Sequence, residues 1–281
     1  MTAQATTAPR TVTVRPVTFP RTLRSEWIKF WSLRSTYWAI AATVVAMVLM
    51  SLLMAVGMSQ SAESGFDAGL DSTMVIGLSY SMAQLVIAVL GVLMISGEYS
   101  TGMIRSTLTA VPRRIPALAA KAIVITVVAF VVGVVGVALS YVLTMPMLSD
   151  VGGAADLGDA DTLRMFWGTG LYLAAVGLFG LAVGALVRHS AGAIATAVGF
   201  LLLLPIVFQL AMGALEWLRE AYPYLPTVAG ERIVALDSPG MEMATAGMPP
   251  LLDHWAGLGV FAIYIAVALL AAAVLLRRRD A

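Results

Sequence analysis

Six stretches of this chain are long and apolar enough to cross a bilayer, and that feature governs what it can fold into. A hydrocarbon core about 30 Å thick needs about 20 mostly apolar residues in helical form. The stretches lie near 38–58, 73–96, 117–145, 166–187, 191–213 and 256–276, and their central turns contain no Asp, Glu, Lys or Arg. Backbone polar groups in lipid must be satisfied inside a helix or a closed barrel. The alternating pattern of barrel strands is absent. The expectation is therefore an all-α membrane protein with six transmembrane helices.

Composition agrees. The 281 residues are 60% apolar and 12% charged, against about 45–50% and about 25% in soluble domains. That argues against a soluble domain, a disordered chain or a nucleic-acid binder. Cysteine is absent, which excludes disulfides, thiolate metal sites and cysteine nucleophiles. The two histidines, His189 and His254, are too far apart in sequence for a histidine-rich metal cluster. Residues 1–37 lack the apolar core of a signal peptide, so the first span is expected to be retained.

Lys and Arg set the orientation. With both termini cytoplasmic, 14 of the 17 basic residues fall inside, and only Arg164, Arg219 and Arg232 fall outside. The acids divide the other way, 13 of 16 outside. We therefore place both ends, the 97–121 connection and the 188–190 turn in the cytoplasm.

Residues 1–20 are rich in Thr, Ala and Pro and are expected to be disordered. Over 21–36 a helical wheel gathers Leu23, Trp27, Phe30 and Trp31 on one face and Arg21, Ser25, Lys29 and Ser32 on the other. This suits a helix in the headgroup plane, with Trp27, Phe30 and Trp31 at the interface and cations toward anionic lipid. Arg34 falls on the apolar side and would have to snorkel. A plain basic flank that only fixes topology is the alternative.

The outer loops 59–72 and 146–165 are acidic. Solvated linkers explain them more simply than calcium sites, because their spacing does not fit an EF-hand loop. The 188–190 turn is short enough to make spans four and five a tight hairpin. The outer segment 214–254 mixes Trp217, Leu218, Tyr222, Tyr224, Leu225 and Val228 with charges and prolines. It could fold back on the membrane as short helices or form a small extracellular cap.

The most informative connection reads 97-GEYSTGMIRSTLTAVPRRIPALAAK-121. Glu98 ends span two. Ser100, Thr101 and Gly102 could then start a short helix carrying Met103, Ile104, Arg105 and Leu108, which Pro112 stops before Arg113 and Arg114. Such a surface helix, over about 100–112, is something a soluble partner can grip. A basic loop that only sets topology is the other reading.

Here the sequence resembles the membrane subunits of the ABC-2 type of ATP-binding cassette transporters. The likeness rests on the Gly-Glu-Tyr opening, the Gly-Met-Ile-Arg-Ser-Thr-Leu run and the Pro-Arg-Arg close. It extends to 222-YPYLPTVAGE-231 before the last span and to the ending 276-LRRRDA-281, which is similar to actinobacterial members. The resemblance implies a type V exporter-like transmembrane domain over 37–281, with 21–36 as the connecting helix. It implies that residues 100–112 form the coupling helix that docks on a nucleotide-binding subunit. Glu98, Tyr99, Thr101, Gly102, Ile104, Arg105, Leu108, Pro112, Arg113 and Arg114 would take part in that coupling. Re-entrant outer helices would lie within 205–254. Two copies would pair, with spans two and five lining the route, and two soluble ATP-binding subunits would complete the complex in the plasma membrane.

The chain itself has no G-x-x-x-x-G-K-[ST] phosphate loop, and neither of its two lysines, Lys29 and Lys121, follows such glycines. ATP and Mg are thus expected on the partner subunit, with no cofactor bound here and no enzymatic activity of the chain's own. Tyr80 and Gln84 share a face of span two, while Thr196 and Gln209 lie near the inner and outer ends of span five. Each of the four is either a route contact or an interhelical packing group. Pro205 is expected to kink span five, and Gly177, Gly180 and Gly184 to let span four pack closely. The function expected is export of an amphipathic drug, lipid or peptide. The rivals are an ion-coupled secondary transporter and a non-transporting sensor or scaffold. A membrane enzyme would need a clustered catalytic set, whereas His189 and His254 fall on opposite sides.

Overall fold

The computed structural model describes residues 18–63, 75, 77–100, 102–103, 114–149, 156–236 and 248–278. The first helix, α1, runs Phe19–Ser32 with Pro20 in its opening turn, where a missing N–H leaves no intrahelical bond unmade. Leu33 is extended (φ −89°, ψ 124°) and ends it. The interfacial helix therefore stops short of residue 36. Arg34 does not snorkel from it but opens the first span, α2 (Arg34–Glu63).

The second span is α3 (Tyr80–Ser100), the third α4 (Arg114–Ser149) and the fourth α5 (Ala160–Val187). The fifth is composite: α6 (Ser190–Val198), a π-helical turn (Gly199–Leu203) and α7 (Leu204–Ala211). The short α8 (Glu216–Ala221), a 3-10 turn (Tyr222–Tyr224) and α9 (Pro226–Glu231) follow. The sixth span is α10 (His254–Arg278). All six are long and apolar enough to cross a membrane. The helices mostly overrun the apolar stretches, because polar end residues continue the same backbone ladder. Span two is the exception at its start, where Leu78 and Ser79 form a turn ahead of Tyr80.

Span four is the innermost element and is packed most extensively against span two, then span three. Glycine makes this possible. A Cβ on Gly180 would lie 2.3 Å from the Ala88 carbonyl oxygen, and one on Gly91 would lie 2.2 Å from the Gly177 carbonyl oxygen. The two backbones touch, as small-residue contacts in membranes allow. Spans one, five and six keep broad apolar faces exposed.

The expected hairpin between spans four and five is present. Arg188 adopts a left-handed conformation (φ 58°), and its N–H caps the Gly184 carbonyl at 3.0 Å. His189 then caps α6, its Nδ1 accepting from the Gly192 N–H at 3.3 Å. That assigns the histidine a structural task.

Pro205 acts as its chemistry requires. It has no N–H to offer the Leu201 carbonyl four residues back, and the π-turn sits just before it. The Thr227 hydroxyl, from α9, donates to that Leu201 carbonyl at 3.0 Å. Tyr222, Leu225 and Val228 pack with Leu204, Phe208 and Met212 of span five. The described part of the outer segment around 222–228 thus folds back onto span five.

Candidate functional site

At the cytoplasmic end, four charged side chains close into a knot. Glu26 and Lys29 stand one turn apart on α1, Glu98 lies near the end of span two, and Lys121 lies two turns into span three. Glu98 Oε1 accepts from both Lys29 Nζ and Lys121 Nζ. Lys121 Nζ also donates to Glu26 Oε2 at 2.6 Å. Lys121, Glu26 and Glu98 are buried, while Lys29 is partly exposed. Two acids and two bases balance, as burial in apolar surroundings demands. The only two lysines of the chain thus meet on one carboxylate. The second oxygen of Glu98, Oε2, is buried with no hydrogen-bond partner among the described residues.

This arrangement corrects the helical wheel. Lys29 does not point at anionic lipid but turns inward to Glu98. Phe30 is buried, Trp31 is half-buried edge-on to it with ring centroids 5.5 Å apart, and Trp27 is exposed. Glu26 and Lys121, which the sequence did not single out, complete the site.

Around the knot, the Arg188 guanidinium lies over the Tyr99 ring, 5.3 Å from its centroid. Arg188 Nη2 also donates to the Leu275 carbonyl at 3.2 Å, joining the ends of spans two, four and six. The backbone is helical again at Met103, immediately after Gly102. Ser100 is the last residue of span two, and Gly102 (φ 71°) turns the chain, its N–H reaching the Tyr99 carbonyl at 3.3 Å. Only glycine takes that conformation freely. Thr101, Ile104, Arg105, Leu108, Pro112 and Arg113 lie outside the described residues. Arg114 is the first residue of α4.

A second polar cluster lies toward the outer side. Tyr80 and Gln84 come together as expected from their spacing, but both are buried in helix packing. The Tyr172 hydroxyl of span four donates to Gln84 Oε1 and stands 3.5 Å from Glu231 Oε1. The Tyr80 and Tyr172 rings meet edge to face at 5.0 Å. Thr196 and Gln209 do not join them: the Thr196 hydroxyl bonds back to the Gly192 carbonyl at 2.8 Å, and Gln209 is exposed.

Glu231, the last residue of α9, and Tyr172 are the members that sequence reasoning passed over. An acid in an outer loop reads as solvated. The available signal was its setting, since 225-LPTVAGE-231 offers it no basic partner upstream and a run of small or apolar neighbours. Gly230 lets α9 nest against Phe261 and Tyr172, where a Cβ would come within 2.5 Å and 3.0 Å of the rings. Burial pushes the Glu231 carboxyl up to about 7, against hydrogen bonds from Tyr172, Tyr80 and Gln84 that favour its charged form.

The sign follows directly. A carboxyl raised above its ordinary 4.5 contributes stability that is full at lower pH and is lost as pH rises through about 7. We expect the melting midpoint of the purified protein to fall between pH 5 and pH 8. Glu231→Gln should flatten that dependence. Equal slopes in both proteins would show that Glu231 does not set the effect.

A comparison with curated proteins finds no match. The family described as ABC-2 family transporter protein matches residues 26–281, from the middle of α1 through all six spans. With six spans and a match across nearly its whole length, the chain belongs to the ABC-2 family and is a multi-pass permease subunit of an ABC transporter.

Proposed function

We propose that this permease is the membrane half of an ATP-driven exporter in the plasma membrane. Two copies pair, and two soluble ATP-binding subunits, which carry the ATP and Mg, dock from the cytoplasm. The knot is the observation that supports this reading. Glu98 lies about one turn before the 101–113 connection and Lys121 follows it by two turns, while Glu26 and Lys29 tie α1 to both. A push on that connection would reach α1, span two and span three together.

On the outer side, α9 is held by Thr227 to span five and by Glu231 and Gly230 to span four. Outward opening must move or release it. Cargo can bias the change only by binding the two states differently. The apolar faces of spans one, five and six suit a second copy, lipid and an amphipathic cargo.

The test is co-reconstitution with the ATP-binding subunit, reading uptake of a fluorescent amphipathic cargo into inside-out vesicles. ATP should drive uptake. Glu98→Gln and Arg105→Ala should each cut uptake about ten-fold while membrane insertion and ATP hydrolysis persist. A proton-coupled transporter is the second reading, and buried Glu231 is what favours it. Uptake that needs a proton gradient and no ATP-binding subunit would replace our proposal with that one. Unchanged uptake in both variants would remove the coupling role.

A further inference from the structure

Between α1 and span three lies an open groove of about 350 Å³. Leu23 and Trp27 form one wall, Ile123, Val124 and Val127 form the other, and Arg24 stands at the rim. Apart from that arginine the walls are apolar. Arg24 also borders a neighbouring depression on the same helix, with Arg21 and Ser25. Arg21, Arg24 and Ser25 are all exposed. An apolar slot therefore meets a basic, hydroxyl-bearing surface at one residue.

Depth supports a lipid occupant. Ile123 and Val127 lie about 14–20 Å along the helix from Arg114, at about 1.5 Å per residue. That puts the slot's apolar wall within the third span, on a side that stays exposed. Ile123, Val127, Val131, Val135 and Leu139 recur every four residues and are all exposed, so the groove opens onto a continuous apolar stripe. A two-fold contact with a second copy, centred here, would set Arg21 and Arg24 against their own counterparts. Like charges make that occupant unfavourable.

We propose that this groove binds one anionic phospholipid, with an acyl chain along Ile123 and Val127 and its phosphate on Arg24 and Arg21. Guanidinium groups match a phosphate by paired N–H donors. Lys29 borders that depression too, but its ammonium is held by Glu98. The other face of α1 carries Glu26, and Val124 follows Lys121 by one turn. A seated lipid would therefore brace the helix that holds the charge knot. This inference does not depend on the direction of transport or on the cargo.

The experiment uses the purified full chain and its tryptophan fluorescence. Dibrominated phosphatidylglycerol and dibrominated phosphatidylcholine are titrated in turn, because bromine quenches at short range. Trp27→Phe isolates the Trp27 signal by difference. We expect Trp27 to be quenched at about five-fold lower phosphatidylglycerol than phosphatidylcholine. Arg21→Gln with Arg24→Gln should erase the preference, and Val127→Phe should weaken quenching by both lipids without altering charge. Native mass spectrometry should retain one phosphatidylglycerol per copy and lose it in the arginine variant. Equal quenching by the two lipids would mean an ordinary lipid annulus and overturn the proposal. So would a preference that survives the arginine changes, or no quenching by either lipid, as a covering second copy would give.

Discussion

Replacing Lys121 with methionine should destabilise the protein by about 3–5 kcal/mol, the range found when one partner of a buried ion pair is removed. Lys121 is the one ammonium that touches both carboxylates, Glu26 and Glu98. Its loss leaves Glu26 without its lysine and Glu98 with Lys29 alone, which is partly exposed. Two negative charges would then share an apolar site. Lys29→Met should cost less, because Lys121 still bridges both acids. The measurement is unfolding followed by intrinsic tryptophan fluorescence.

A rescue separates charge from packing. In the Lys121→Met background, Glu26→Gln and Glu98→Gln remove the stranded charges and should restore most of the stability. The same neutral variant should still fail to couple ATP hydrolysis to transport. A Lys121→Met protein as stable as wild type would show that the knot is open or hydrated, and would remove the structural basis of the coupling proposal.

The second large effect is expected at Gly180. Valine there would put a Cβ 2.3 Å from the Ala88 carbonyl oxygen, and a backbone atom cannot swing aside as a side chain can. Spans two and four would have to separate along a shared stripe that includes Gly184, whose Cβ would meet the Val92 oxygen at 2.8 Å. Overpacking of this kind costs about 1–3 kcal/mol and occasionally more. Since span four is the innermost helix, we expect Gly180→Val to lie at or above the upper end, with little folded protein recovered from the membrane. Gly57→Ala is the control. Nothing lies within 4 Å of its Cβ position, and alanine is the better helix former by up to about 1 kcal/mol. Similar yields from both variants would contradict the close approach of spans two and four.

The number and order of the spans were legible in the sequence because apolar content over about 20 residues is a bulk property. Glycine spacing announced the inner packing surface for a related reason: Gly177, Gly180 and Gly184 share one helix face whatever they touch. The ion pairs were not legible in that way. A helical wheel assigns Lys29 to the polar, outward side. Its actual partner, Glu98, is 69 residues away and is decided by tertiary packing. Glu26 drew no reading, and Lys121 was read only as the end of the 97–121 connection. Tyr172 sits in an apolar span, and Glu231 in an outer loop. Only the fold-back of α9, fixed partly by Thr227 and the carbonyl that Pro205 leaves bare, brings them together.

Both side-chain amines of this protein are engaged in one cluster, so amine-selective reagents find no freely solvated lysine while the cluster is intact. The rate at which an acylating reagent modifies Lys121 is then a clock for how often the cluster parts. Following that rate through a nucleotide cycle would time the parting of the cluster with no label engineered into the chain.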